Sequence, residues 1–280
     1  MLVYLNGEII PHESARIPVD DRGFLFADGV YEVARVYDGR PFKMDAHLAR
    51  MAEGLRATRI ELPELDRLSA VADDLLDRNQ LRGGGATVYF QVTRGAAPRK
   101  HAFPAGVAPT VYVAAKSFQD YPAEYFTAGV GAIRVADTRW ARCDIKSVAL
   151  LPNVLANQAA HEAGAFEALF VRDGVLIEGS HSNLMGVVDG TVVTYPKCNY
   201  ILGGITRDVV LDLARRLGIP TREGPILEDR LADVTELFLS GTTTEVMPIT
   251  RLDGRPVADG KVGPITRRLQ AAYRELTRGG

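Results

Sequence analysis

Five Asx-Gly dipeptides punctuate this chain: Asn6-Gly7, Asp38-Gly39, Asp173-Gly174, Asp189-Gly190 and Asp253-Gly254, each set between short apolar stretches. A two-residue type I′ turn needs positive φ at both central residues, a conformation that Asn, Asp and Gly tolerate best. Each dipeptide therefore predicts a hairpin. The flanks agree, with Val3–Leu5 before the first, Val33–Tyr37 before the second and Ala168–Val171 before the third. Hairpins spread over 280 residues imply antiparallel sheets rather than a doubly wound parallel one.

Helical periodicity fills the intervals. Asp45–Leu55 puts Leu48, Met51 and Leu55 on one face, with Asp45 placed to cap its start. Similar spacing predicts helices over Leu65–Leu76, Leu151–Ala163, Thr206–Leu217 (with Gly218 at the stop) and Gly263–Leu276. The fold class is α+β, hairpin-rich antiparallel sheets with flanking helices. The polar, Pro-containing Ser117–Ala123 follows the apolar Thr110–Ala115 and marks a boundary. It divides an N-terminal domain over 1–119 from a C-terminal domain over 120–280.

Composition excludes several function classes. Lys plus Arg is 33 against 35 Asp plus Glu, a net charge of 33 − 35 = −2. That balance offers no broad positive field to nucleic acid. Cys143 and Cys198 can build no disulfide framework and lack the spacing of metal ligands, so no metal is expected. No apolar run approaches the ~20 residues of a membrane span. Met1–Glu8 lacks the basic-then-apolar pattern of a signal peptide, and the expectation is a cytoplasmic protein with no membrane partner.

Four features can carry chemistry. The lysines are only Lys43, Lys100, Lys116, Lys146, Lys197 and Lys261, and Lys146 has mostly apolar neighbours in Asp144-Ile-Lys-Ser-Val-Ala-Leu-Leu. Desolvation lowers a lysine's pKa and frees the nucleophilic amine, although read alone such a lysine more often snorkels to water. Glu178 ends an apolar strand and opens the polar loop Gly-Ser-His-Ser-Asn. There it can hold a proton on a ring nitrogen, or be merely an exposed acid at a turn. The turns Leu202-Gly-Gly-Ile-Thr-Arg and Ser240-Gly-Thr-Thr-Thr-Glu offer backbone amides, a helix N-terminus and the hydroxyls of Thr206, Thr242 and Thr243 to a phosphate. The first is equally a well-capped helix. Arg99 and His101, two apart in an extended segment, point to one side and suit a carboxylate, or form a plain basic loop. Together the four describe a pyridoxal-phosphate site for an amino acid.

At these residues the chain resembles the fold-type IV pyridoxal-phosphate enzymes, and within them the D-amino acid aminotransferases. The resemblance runs nearly end to end. It takes in Asp20-Asp-Arg-Gly-Phe-Leu-Phe-Ala-Asp-Gly-Val-Tyr-Glu, His47-Leu-Ala-Arg-Met, Arg99-Lys-His, Arg142-Cys-Asp-Ile-Lys-Ser and Leu151-Pro-Asn-Val-Leu-Ala. It continues through Glu178-Gly-Ser-His-Ser-Asn, Gly203-Gly-Ile-Thr-Arg and Gly241-Thr-Thr-Thr-Glu-Val.

The resemblance implies Lys146 as Schiff-base lysine and proton shuttle, and Glu178 as partner of the pyridine nitrogen. Arg50, Ile205, Thr206 and Thr242 would bind the cofactor phosphate, and Leu202 would pack against its ring. Tyr31, Arg99 and His101 resemble the substrate-carboxylate trap, with Arg99 and His101 reaching in from a partner subunit. A homodimer follows, its active site at the domain and dimer interface and its C-terminal domain holding the cofactor. The implied reaction is ping-pong transamination between a D-amino acid, such as D-alanine, and a 2-oxo acid, such as 2-oxoglutarate, through pyridoxamine phosphate. The alternatives in the superfamily are an aminodeoxychorismate lyase, a branched-chain L-aminotransferase or an (R)-amine transaminase. Outside catalysis stands a cofactor-binding homologue that has lost the activity. The subfamily rests on Arg99-Lys-His, and one residue departs from its pattern: His181 stands where the D-amino acid enzymes usually have Ser.

Overall fold

All five Asx-Gly dipeptides turn as hairpins, with φ between +46° and +51° at the Asx residue and between +71° and +102° at the glycine. The computed structural model describes residues 1–278 and contains two units. The first is Met1–Asp120 with Ile145–Leu150; the second is Tyr121–Asp144 with the chain from Leu151 onward. Thus the short stretch that carries Lys146, numbered within the expected second domain, packs with the first.

The first unit comprises β1 (Leu2–Leu5), β2 (Glu8–Pro11), α1 (Arg22–Phe26), β3 (Gly29–Tyr37), β4 (Arg40–Pro41), α2 (Met44–Thr58), α3 (Arg67–Arg78), β5 (Ala86–Thr93) and β6 (Thr110–Ser117). Its six strands run antiparallel in the order β2-β1-β6-β5-β3-β4. On α2, Met44, Leu48, Met51 and Leu55 recur every three or four residues and bury against Val30, Ala34 and Val36. Truncating Met51 there would cost about 2–5 kcal/mol. Asp45 does not cap α2: the cap position is Lys43, at φ +57°, and Asp45 lies in the first turn, where its charge meets the positive end of the helix dipole.

The second unit comprises α4 (Ala123–Ala128), β7 (Val130–Ala136), α5 (Leu151–Glu162), β8 (Glu167–Arg172), β9 (Val175–Gly179), β10 (Asn183–Val188), β11 (Thr191–Thr194), α6 (Ile205–Arg216), β12 (Thr221–Glu223), β13 (Ile226–Leu227), β14 (Val234–Gly241), β15 (Glu245–Leu252), β16 (Arg255–Pro256) and α7 (Pro264–Arg278). Parallel pairings join β7 to β8, β7 to β15 and β11 to β12. Turn dipeptides report only sequential antiparallel neighbours, so these pairings carried no such signal. The order β10-β14-β15-β7-β8-β9 returns to its start through one pairing, Asn183 with Glu178. The sheet closes on itself at the residue expected to face a cofactor ring.

Candidate active site

The residues singled out from sequence divide between the two units. In the first, Ile145–Leu150 adds to the free edge of β3. Tyr31 N–H donates to the Lys146 carbonyl (3.0 Å), Val148 N–H to that of Gly29 (3.1 Å), and Val30 bridges Ser147. This places the Lys146 ammonium 4.3 Å from the centre of the Tyr31 ring, a cation–π contact.

One residue further along β3, Glu32 points into the core with no exposed surface and meets α2. Arg50 donates to it through Nε (2.6 Å) and Nη2 (2.9 Å), and His47 Nδ1 lies 2.7 Å from Oε2. Burial alone would raise the Glu32 pKa; Arg50 and His47 outweigh it and bring it down to about 2. Burial also depresses the His47 imidazolium, against the pull of Glu32. Neutral His47 therefore donates Nδ1–H to Glu32. Arg50, expected at a phosphate, is held by a bidentate carboxylate grip that fixes its plane.

In the same unit Arg99 and His101 are exposed and share a platform. The Arg99 guanidinium lies 5.1 Å from the Phe26 ring centre, and the His101 ring 5.5 Å from it.

In the second unit Glu178 is buried, not an exposed acid at a turn. Its Oε1 accepts from Arg139 Nη1 (2.5 Å), and its Oε2 from Asn183 Nδ2 and the Leu202 N–H (both 3.1 Å). Burial pushes its pKa up to about 7, because Arg139 and the Leu202 amide only partly offset desolvation. Arg139 is divided: its Nε and Nη2 donate to Asp137.

Asn183 knits the surroundings together. It also donates to the Leu202 carbonyl (2.8 Å), pairs with Ser240 in the β10–β14 register, and abuts Gly204, where an added Cβ would strike its amide oxygen. Glu178, half-buried Leu202, the α6 start with Ile205 and buried Thr206, and the strand end that precedes Thr242 thereby converge. The α6 N-terminus opens at Gly204 with no side-chain cap. Sequence reading did not assign Arg139, Asn183, Glu32 or His47 a role. Only Asn183, Glu32 and His47 lay inside quoted motifs.

His181, the departure from pattern, sits with Nδ1 2.9 Å from Glu167 Oε2 and 3.2 Å from Ser180 Oγ. The buried Glu167 also accepts from the Ser180 and Ser182 hydroxyls and stays ionised well below its ordinary pKa, despite burial, through His181 and these serines.

The family profile of amino-transferase class IV matches residues 29–252. The chain belongs to the class IV aminotransferases, which depend on pyridoxal phosphate. Among curated relatives it is 41% identical over 273 residues to the D-alanine aminotransferase of Bacillus licheniformis, covering 97% of this chain and 95% of that one. It is equally 41% identical to the D-alanine aminotransferase of Staphylococcus aureus (strain COL), with 97% and 96% covered. The branched-chain amino acid aminotransferase of Escherichia coli superposes with a TM-score of 0.91 at 29% identity, covering 99% of this chain and 95% of that one. The branched-chain amino acid aminotransferase of T.th., solved with pyridoxamine 5′-phosphate, gives 0.91 at 28% identity, with 99% and 94% covered.

The residues present fit that cofactor. Glu178 is a buried carboxylate short of positive partners, which a protonated ring nitrogen would supply. The uncapped α6 N-terminus suits a phosphate. Ser240 Oγ and Thr244 Oγ1 are buried with no hydrogen-bond partner among the described residues, on either side of the Thr242 turn.

Proposed function

We propose that this chain transaminates D-amino acids, D-alanine among them, with a 2-oxo acid such as 2-oxoglutarate as acceptor. The observation that carries the chemistry is Glu178, a buried carboxylate pushed up to about 7 with one shared cation beside it. Such a group takes an N–H⁺ in preference to standing ionised alone.

Bound pyridoxal phosphate supplies an electron-poor ring that accepts the electron pair left when the substrate loses its α-proton. Glu178 would hold the proton on the ring nitrogen and so keep the ring electron-poor. Lys146 Nζ would take the proton from the substrate α-carbon and return it elsewhere, the shift that converts an amino acid to a 2-oxo acid. Arg50, its plane set by Glu32, would hold the phosphate with the amides of Ile205 and Thr206 and the Thr206 and Thr242 hydroxyls. Leu202 would pack on the ring face. Tyr31, Arg99 and His101 would receive the substrate carboxylate and so set handedness.

A homodimer is part of this reading. On α5, Leu151, Val154 and Leu155 are 68%, 58% and 63% exposed, an apolar stripe that a second copy would cover. Among the described residues no helix is long and apolar enough to cross a membrane. Cys143 and Cys198 are free thiols, as suits a cytoplasmic protein.

Incubation with D-alanine and with L-leucine, each with 2-oxoglutarate, tests the substrate assignment. Product from D-alanine is expected; product from the L-substrate alone overturns it. Borohydride reduction followed by peptide mass analysis should find the cofactor mass on Lys146. Lys146→Ala should lose both that mass and turnover.

A further inference from the structure

We propose that Arg22 is a positioning residue for substrate-carboxylate binding, fixing the segment that carries Arg99 and His101. This rests on the reading above that those two side chains receive the carboxylate. Both stand on an exposed stretch outside any strand or helix, and nothing in that stretch alone explains a defined geometry. The order comes from beneath.

Arg22 is 3% exposed. Its Nη1 donates to the Lys100 carbonyl (2.5 Å) and its Nη2 reaches the His101 carbonyl (3.4 Å). Its Nε donates to Asp28 Oδ2 (2.8 Å). One guanidinium thus ties the backbone of the two residues after Arg99 to a fixed carboxylate.

Asp28 is itself anchored. Arg94 donates to it through Nε (2.7 Å) and Nη2 (3.0 Å), and binds the carbonyls of Thr58 (2.6 Å) and Arg59 (2.8 Å) at the end of α2. The two arginines outweigh burial and hold Asp28 ionised below its ordinary pKa.

The short helix α1 delivers Arg22 and Phe26 together. Asp21 caps it through Gly23 N–H (2.8 Å) and accepts from Thr93 (3.0 Å) and Thr110 (2.6 Å) on neighbouring strands. Arg22 N–H donates to the Gly95 carbonyl (2.9 Å). Gly95 sits at φ +88° so close to the Ala108 carbonyl that a Cβ there would collide with it. Phe26 then presents one ring to Arg22 (4.8 Å), Arg99 (5.1 Å) and His101 (5.5 Å). The backbone of the segment is set by hydrogen bonds, and its two functional side chains by a shared ring.

The test uses the holoenzyme variants Arg22→Met, Arg22→Lys and Phe26→Leu, with Arg99→Ala as reference. The readouts are kcat/KM for D-alanine, single turnover of D-alaninamide, which lacks the carboxylate, and dissociation of propionate. Arg22→Met should lower kcat/KM for D-alanine roughly ten- to a hundredfold through KM, as expected when binding groups are misplaced by about an ångström. Propionate should weaken in parallel, while D-alaninamide turnover stays within about twofold of the parent. Arg22→Lys should fall between, since an ammonium cannot hold Asp28 and both carbonyls at once. Phe26→Leu keeps the Arg22 bonds and should show a smaller loss of the same KM type, so the idea stays testable if Arg22→Met fails to fold. Equal losses on D-alanine and D-alaninamide, or an unchanged KM in these variants while Arg99→Ala raises it, overturn the positioning role alone. An unchanged KM in Arg99→Ala overturns the carboxylate reading beneath it.

Discussion

Two glutamates in this molecule are both buried, and their pKa values are displaced in opposite directions. Glu32 in the first unit is driven down to about 2, and Glu178 in the second is pushed up to about 7. Desolvation is the largest influence on each and acts upward on both. The difference lies in what else is offered. Glu32 has the Arg50 fork, His47 and the nearby Lys146 charge. Glu178 has Arg139 alone as a cationic donor, and Arg139 spends two of its nitrogens on Asp137. Glu32 is a finished structural pair that aims Arg50. Glu178 is left with one shared cation, a deficit that supports its proposed place opposite a protonated ring nitrogen.

Breaking the finished pair should have the largest effect. Arg50→Ala leaves Glu32 buried in the core with His47 as its remaining direct hydrogen-bond partner. Removal of one member of a buried pair costs about 3–5 kcal/mol. Denaturant unfolding of the cofactor-free protein should show that loss. A loss below about 1 kcal/mol would mean that Glu32 is far better solvated than its burial indicates.

The deficient carboxylate should matter less for stability and more for rate. Glu178→Gln keeps the shape and the Asn183 and Leu202 contacts but cannot hold a proton on a ring nitrogen by charge. Turnover with D-alanine should fall roughly 10²- to 10³-fold, the range for removing one electrostatic partner from an active site. Activity within about threefold of the parent would refute the assigned role.

The contrast was half legible in the sequence. Turn chemistry is local, so the five Asx-Gly hairpins and the periodic helices could be read directly; α1, five residues long, has too little periodicity to announce itself. Lys146 and Glu178 stood out because an ionisable residue in an apolar stretch is anomalous within a few residues of itself. Their partners did not. Arg139 lies 39 residues from Glu178 and 61 from Tyr200, whose carbonyl it also binds, contacts between segments remote in sequence rather than within any motif. Asp45 was misread for a related reason, since a good capping side chain says little once Lys43 takes the left-handed entry to α2.

Linkage sharpens the comparison through pH. Glu32 has a folded pKa below its unfolded value of about 4.5, so its contribution is present above that pH and fades as pH falls toward about 2. Glu178 has a folded pKa above it, so its contribution is present below about 4.5 and fades as pH rises through about 7. The cofactor-free protein should therefore lose ground against its Glu32→Gln variant on acidification. Against Glu178→Gln it should lose ground between pH 5 and pH 8. Thermal unfolding of the three proteins from about pH 2 to about pH 8 covers both windows and measures both slopes. A slope of the same sign for both pairs would remove the basis of the contrast.

The smallest effect tests why Glu178 is short of charge. Asp137 takes hydrogen bonds from Arg139 and also from Arg172 (3.1 and 2.9 Å). Arg172→Gln would leave Asp137 to draw on Arg139 alone, so Arg139 would give less to Glu178 and its pKa should climb further. Arg172 is 22% exposed, so solvent screens part of its charge and the shift should stay below about one unit. The readout is the pH midpoint at which stability falls relative to the matching Glu178→Gln background, a double-mutant cycle that cancels whatever else Arg172 does. An upward midpoint means that Glu178 and Asp137 compete for one guanidinium. A midpoint that stays put or falls means that desolvation alone sets Glu178, and that the sharing of Arg139 plays no part in its deficit.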